Sequence, residues 1–427
     1  MEQNLYNAYV SILERELVVA LGCTEPIAIA FACAKVRDVL GTMPTQIDVH
    51  CSGNIIKNVK GVTVPHSDGK KGIAVAAILG LLTGHSERGL AVLEGVKNED
   101  LAVCEELLEA NMCNIEIVEN VPNLYIRVVA KTSEHTVELI IKDTHSNIVF
   151  IKQDDEVLFS EDVTDSAKGT KQDLKSLLNV ADILEFARTV DLELVKPVLS
   201  KQIEHNLNIA EEGLANSYGA RVGQTIRDHQ ADTVYNKARA YAAAGSDARM
   251  SGCPLPVVIN SGSGNQGITV SLPVIIYVKE HGISEEMLYR ALVVSNLIAL
   301  HQKRYIGSLS AYCGAVSAAC GSACGIGFLE GLDYEGISDV ITNTIATVGG
   351  MVCDGAKPSC ASKIAVALES AFLGLEMAKN QRGFKPGEGL VKDTIEETIA
   401  CVGNMGRVGM YSTDVQILNL MLDKVEL

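Results

Sequence analysis

Tryptophan is absent from this chain of 427 residues, and aromatic residues of all kinds make up only 4% of it. A chain so poor in rings has few platforms for stacking nucleobases or sugars. It also lacks basic excess: 36 Lys and Arg stand against 53 Asp and Glu, a net charge of −17. Such a chain has no bulk attraction for phosphate backbones or anionic lipid, so no nucleic-acid or membrane role is expected. A basic leader followed by an apolar stretch is missing as well. The first residues, MEQNLYNAYVSILERELVVA, carry Glu2, Glu14, Arg15 and Glu16, so a cytoplasmic location is expected. With 47% apolar and 21% charged residues, the composition excludes disordered and collagen-like chains. The length fits one large domain or roughly two to three ordinary ones.

What is abundant is small and soft: 37 Gly and 12 Cys. This mixture implies closely packed helices, within one chain or between chains, so a homodimer is possible. In a chain without a secretory signal, cysteines are read as thiols, metal ligands or catalytic groups before disulfides. Residues 305–329 contain no charge over 25 positions, long enough to span a bilayer. Their Gly, Ala, Ser and Cys content gains little on leaving water, so a buried helix is expected instead.

Helix and strand signals segregate. Residues 4–20 show helical spacing through Leu5, Tyr9, Ile12, Leu13 and Leu17. A second helix opens at Thr24-Glu25-Pro26 and runs to Leu40, with Thr24 as N-cap and Pro26 in the first turn. Residues 47–52 alternate as a strand, and 70–82 and 100–110 read as helices. Segments 114–118, 124–129, 136–142 and 147–152 are β-branched and separated by turn residues. The expectation is α+β: a mostly helical catalytic body (1–97 and 166–427) interrupted by a small α+β subdomain (98–165).

Several catalytic signatures are missing. There is no GxxxxGK[ST] loop, no HExxH pair among the nine His, and no GxSxG elbow. Pyridoxal-binding lysines have no short signature and are not testable this way. Gly262-Ser263-Gly264-Asn265-Gln266-Gly267 matches GxGxxG. A dinucleotide site needs a surrounding βαβ unit and an acid near the end of the next strand, and neither is legible, so no NAD is expected. Two readings stay open: a Gly-rich turn before a helix, or an anion site whose backbone N–H groups hold a carboxylate.

The cysteines carry most of the information. Cys23 directly precedes the second helix, where the macrodipole favours thiolate; a small buried residue is the alternative. Cys353 and Cys360 lie in a Gly-, Asp-, Lys- and Pro-containing stretch, and irregular backbone lets sulfurs converge on one ion or cluster. On residue pattern alone, ordinary surface thiols are the commoner reading. Cys313 opens an uncharged segment, and Cys320 and Cys324 follow on the same helical face as core. Cys33, Cys51, Cys104, Cys113 and Cys401 read as core; Cys253, beside Pro254, is ambiguous.

The Gly22–Pro26 turn, the Ser261–Gly267 loop, the Cys313 segment and the Cys353–Cys360 loop together resemble the L-cysteine desulfidase family, over nearly the whole chain. That family is related to the iron–sulfur L-serine dehydratases through their α-type catalytic region. The resemblance implies a [4Fe–4S] cluster on Cys313, Cys353 and Cys360, with Cys23 as proton acceptor and no pyridoxal phosphate. The implied reaction is β-elimination of L-cysteine to pyruvate, ammonia and sulfide. From residue type and turn chemistry, Ser261, Gly262, Ser263, Gly264, Asn265 and Asn54 are candidates for holding the amino-acid substrate. The seven-residue spacing of the last two cysteines and the tail Asp423–Leu427, without cysteine, depart from the serine dehydratases and favour the desulfidase branch. The alternatives are an L-serine dehydratase and a non-enzymatic redox or metal-sensing protein.

Overall fold

The structure is a computed structural model and describes residues 1–83, 85–161 and 173–422. Residues 162–172, where the expected subdomain would end, and the tail 423–427 lie outside the described residues. Helix makes up 61% of the structure and strand 12%, so the α+β, mostly helical expectation holds.

The first helix, α1 (Gln3–Glu16), buries Tyr9, Ile12 and Leu13 as its spacing implies. It stops earlier than the pattern, because Val19–Leu21 (β1) leaves to pair antiparallel with Pro256–Val258 (β8). Two short strands over two hundred residues apart have no local signal, and only their pairing defines them. After β1, the chain turns at Gly22 (φ 60°) into α2 (Thr24–Leu40), buried along almost its whole length.

A six-stranded sheet follows. Its strands are β2 (Gln46–Ser52), β3 (Cys113–Val118), β4 (Tyr125–Lys131), β5 (Thr136–Lys142), β6 (Ile148–Gln153) and β7 (Glu156–Ser160). Their spatial order is β3-β2-β4-β5-β6-β7, with only the β2–β3 pair parallel. The second position in the sheet is therefore supplied from ahead of residue 98. Inward residues such as Val49, Val128 and Leu139 share one core with Ile27, Val36, Ile78 and Leu79 of α2 and α4 (Ile73–Thr83). The layer that carries the strands thus draws on residues from position 27 onward, and not on 98–165 alone. The edge strand β7 is exposed along its length, which is why its pattern gave no alternation.

The helical body has a second core, running from Tyr9 to Met410. At its centre are α9 (Val234–Met250), α10 (Gly264–His281), α11 (Glu285–Ile306), α12 (Gly314–Leu329) and α14 (Cys360–Lys379). The uncharged stretch resolves into the end of α11, a loop and the buried α12, including Cys320 and Cys324 at 0% exposure. A Cβ on Gly321 would lie 2.4 Å from the Ser295 carbonyl, so only glycine lets α12 approach α11 this closely. No helix among the described residues is long and apolar enough to cross a membrane. Cys33, Cys51 and Cys104 are fully buried, whereas Cys113 and Cys401 are half-buried.

Candidate active site

Four helix starts converge on one cavity of about 100 Å³. Cys23 is the N-cap of α2, Ser263 of α10 and Cys313 of α12, and Cys360 is the first residue of α14. All four line the cavity, together with Cys353. Each helix start presents N–H groups without intrahelical acceptors and the positive end of a macrodipole. The chamber therefore favours negative charge.

Backbone pairing brings Cys313 to Cys353 across forty positions of sequence. Residues 312 and 352 form an antiparallel bridge. On either side of it, the Cys313 N–H donates to the Met351 carbonyl (2.9 Å) and the Cys353 N–H to the Ala311 carbonyl (2.6 Å). The loop then folds over Lys57, where Gly355 (φ 94°) leaves no room for a Cβ against the Lys57 carbonyl, and Cys360 opens α14. The Cys313 thiol donates to Cys353, which lowers Cys353 to about 6 against the cost of burial, with the positive charges of Lys57 and Lys363 helping. Cys313 is raised in return by the same proton and by burial, and burial raises Cys360. The Lys303 ammonium also lines the cavity; burial lowers it to about 8, while Cys353 and Cys313 oppose the shift.

The Cys23 wall differs. Its thiol donates to Glu25 Oε2 at 3.0 Å. Burial first, then the negative charge of Glu25, push this thiol well above its ordinary value, although Arg249 pulls the other way. The expectation that the helix start would favour thiolate is corrected: Cys23 does cap α2, but desolvation and a carboxylate outweigh the macrodipole. Glu25 itself is held at about 2, because His145 and the Cys23 thiol overcome the cost of burying it. His145 Nε2 stands 3.7 Å from Glu25 Oε1, reaching in from the turn between β5 and β6. The Thr24 hydroxyl donates to the Gly262 carbonyl at 2.9 Å, tying α2 to the turn before α10.

Ser261, Gly262, Ser263 and Asn265 line the same cavity. Ser261 (φ 52°) and Gly262 (φ 73°) make the turn, and Gly264 and Asn265 already belong to the first turn of α10. Gly264 packs against Arg249, whose Nε would lie 2.2 Å from an added Cβ. The GxGxxG reading as a nucleotide loop has no support, since β8 spans three residues and pairs antiparallel. Asn54 is elsewhere. It follows the first residue of α3 (Gly53–Lys60), donates to Asp414 Oδ2 at 2.8 Å, and lines a separate cavity with Tyr411 and Leu418. The reason is local: α3 turns its amide toward the buried Lys57–Asp414 ion pair.

Glu25, His145, Arg249 and Lys303 were not singled out as site residues in the sequence. Glu25 was visible beside Cys23, but a lone acid at a helix start usually serves the macrodipole. His145 looked like a turn residue, and Arg249 and Lys303 have no spacing signal. Among the described residues, no three Cys, His, Asp or Glu side chains close around a single metal ion.

Comparisons with known proteins place the chain in a family. A family described as serine dehydratase alpha chain matches residues 87–419. The chain belongs to this family. The match makes it a serine-dehydratase-type lyase relative, with the iron–sulfur L-serine dehydratase kinship expected from its motifs. A protein of Finegoldia magna is 47% identical over 97% of this chain and 99% of its own length, and is named only as a UPF0597 protein. UPF0597 proteins of Lachnoclostridium phytofermentans (49% identical; 98% of this chain, all of its own) and Bacteroides fragilis (36%; 97% of each) are similar throughout.

Proposed function

We propose that this family member is an iron–sulfur lyase that eliminates sulfide from L-cysteine, leaving 2-aminoacrylate, which hydrolyses to pyruvate and ammonia. The observation that carries the proposal is that Cys23, Cys313, Cys353 and Cys360, from three distant segments, line one cavity. The donor set suits a [4Fe–4S] cluster on Cys313, Cys353 and Cys360: soft thiols, one of them already lowered, beside the charges of Lys57, Lys303 and Lys363. When bound, such a cluster supplies a Lewis-acidic iron, open to the leaving sulfur.

The chain's own groups do the rest. Cys23 is the candidate acceptor of the α-proton, because its thiol borders the same cavity as Cys313, Cys353 and Cys360. To act it must first release its own proton; Glu25 Oε2 accepts the thiol's hydrogen bond, and with the carboxylate held at about 2 and the thiol raised, it fixes and orients Cys23 and does not take its proton. His145 holds that carboxylate in place. A thiolate formed in so buried a setting is a strong base, which suits a weakly acidic α-proton.

The test is anaerobic purification followed by incubation with L-cysteine. Roughly four irons per chain, with sulfide and pyruvate released in step, is the expected result. A colourless, iron-free protein that still eliminates sulfide at full rate would refute the cluster. A second reading, L-serine dehydration, is favoured by the family match itself. Faster pyruvate release from L-serine than from L-cysteine would establish it instead.

A further inference from the structure

Arg249 is 2% exposed, lines the cavity, and has no carboxylate within ion-pair distance among the described residues. Its Nη1 donates to Asn265 Oδ1 at 3.1 Å, and its Nε meets no acceptor. A buried guanidinium without a counter-charge is costly, and ordinarily some anion offsets it. No nearby acid among the described residues pairs with it, although Asp247 Oδ1 meets no donor at all. Asp247, on the same helix, accepts from the Gly223 N–H of α8 (Val222–His229) at 3.0 Å. Glu25 is taken up by Cys23 and His145. Lys303, the other buried cation lining the cavity, faces the thiols at 313 and 353. Arg249 thus stands as the cation in the chamber to which this structure gives no anion.

Next to it begins α10. Its first intrahelical bond runs from the Gly267 N–H to the Ser263 carbonyl at 3.0 Å. The N–H groups of Gly264, Asn265 and Gln266 therefore have no intrahelical acceptor, and they lie at the positive end of the dipole. Gly264 is what lets the guanidinium lie against this helix start.

We propose that Arg249, with the start of α10, binds the α-carboxylate of the substrate and so restricts this site to α-amino acids. The inference rests on the lyase reading and adds to it. A carboxylate held here places Cα one bond away, within reach of the Cys23 side of the chamber. Asn265 orients the guanidinium, and the remaining donors make the charge-assisted bonds that planar carboxylates favour.

The probe is L-alanine, which keeps both charged groups and has no leaving group; ethylamine, without the carboxylate, is the control. Binding is measured by calorimetry on anaerobic, iron-loaded wild type, Arg249→Gln and Arg249→Lys, with iron content and thermal melting confirming folding. Wild type is expected to bind L-alanine and not ethylamine. Arg249→Gln should weaken L-alanine roughly 30-fold or more and raise KM for L-cysteine more than it lowers kcat. Arg249→Lys should restore part of the affinity. Undiminished L-alanine binding and an unchanged KM in Arg249→Gln, in a protein that releases sulfide from L-cysteine, would overturn this assignment and leave the lyase reading intact. Arg249-dependent L-alanine binding in a protein that releases neither sulfide from L-cysteine nor pyruvate from L-serine would support the assignment and remove the lyase reading.

Discussion

The two walls of the chamber hold the same kind of group in opposite states. Cys353, half-buried in the loop ahead of α14, and Cys23, buried at the cap of α2, border the same cavity, yet Cys353 is lowered to about 6 and Cys23 is raised well above its ordinary value. Burial opposes ionisation in both. What differs is the neighbour: a thiol donor and two lysines on one side, a carboxylate on the other. In the proposed reaction, the lowered thiol would serve as a soft anionic ligand and the raised one as the base. Side-chain company, more than burial, separates a lowered thiol from a raised one.

The comparison breaks most sharply at the cysteine wall. Replacing Cys353 or Cys313 with Ala should abolish both iron retention and elimination, with sulfide release falling below detection. Retention of iron at wild-type stoichiometry would mean the thiols are not its ligands. At the opposite wall, Cys23→Ser should keep the iron and lower kcat roughly 10²–10⁴-fold, the range of a removed general base. Loss of iron instead would move Cys23 to the ligand side.

A finer test removes the carboxylate that sets the contrast. Glu25→Gln should bring the Cys23 pKa down, because the like charge is gone. The acid limb of the kcat profile then moves to lower pH, and the maximal rate falls roughly 10- to 100-fold through loss of the carboxylate that orients the thiol. An unmoved limb would show that burial alone sets the thiol. Cluster assembly should follow pH on the other wall. Cys353 is a thiolate above about 6, so anaerobic iron loading should slow as pH drops below that point, measured by the rise of visible absorption. The smallest effect belongs to Asn54→Ala. Its amide faces Asp414, so elimination should change less than about twofold, while stability falls by about 1 kcal/mol in denaturant titration.

Much of the fold was readable locally. The strand 136–142 was placed at its observed bounds, and 114–118, 124–129 and 147–152 to within about two residues, because alternation at a half-buried face is a local signal. The exposed β7 and the β1–β8 pair were not readable, one for lack of an apolar face and the other for lack of any neighbour in sequence. At the site, Cys23, Cys313, Cys353 and Cys360 were picked out because cysteines in irregular backbone are rare and chemically loaded. Asn54 was misplaced because nothing in Ser52-Gly53-Asn54 reveals Asp414, which arrives from the far end of the chain. His145 was passed over because its partner, Glu25, is 120 positions away and only the turn between β5 and β6 brings it in.

Hydrophobic period, glycine placement and the positions of the thiols are written into the order of residues, since each depends on neighbours a few positions away. The ionisation of those thiols, the orphaned charge of Arg249 and the cavity they border come into being only when distant segments meet. Burial and Coulomb interaction act through space, and the chain's order does not state who stands beside whom.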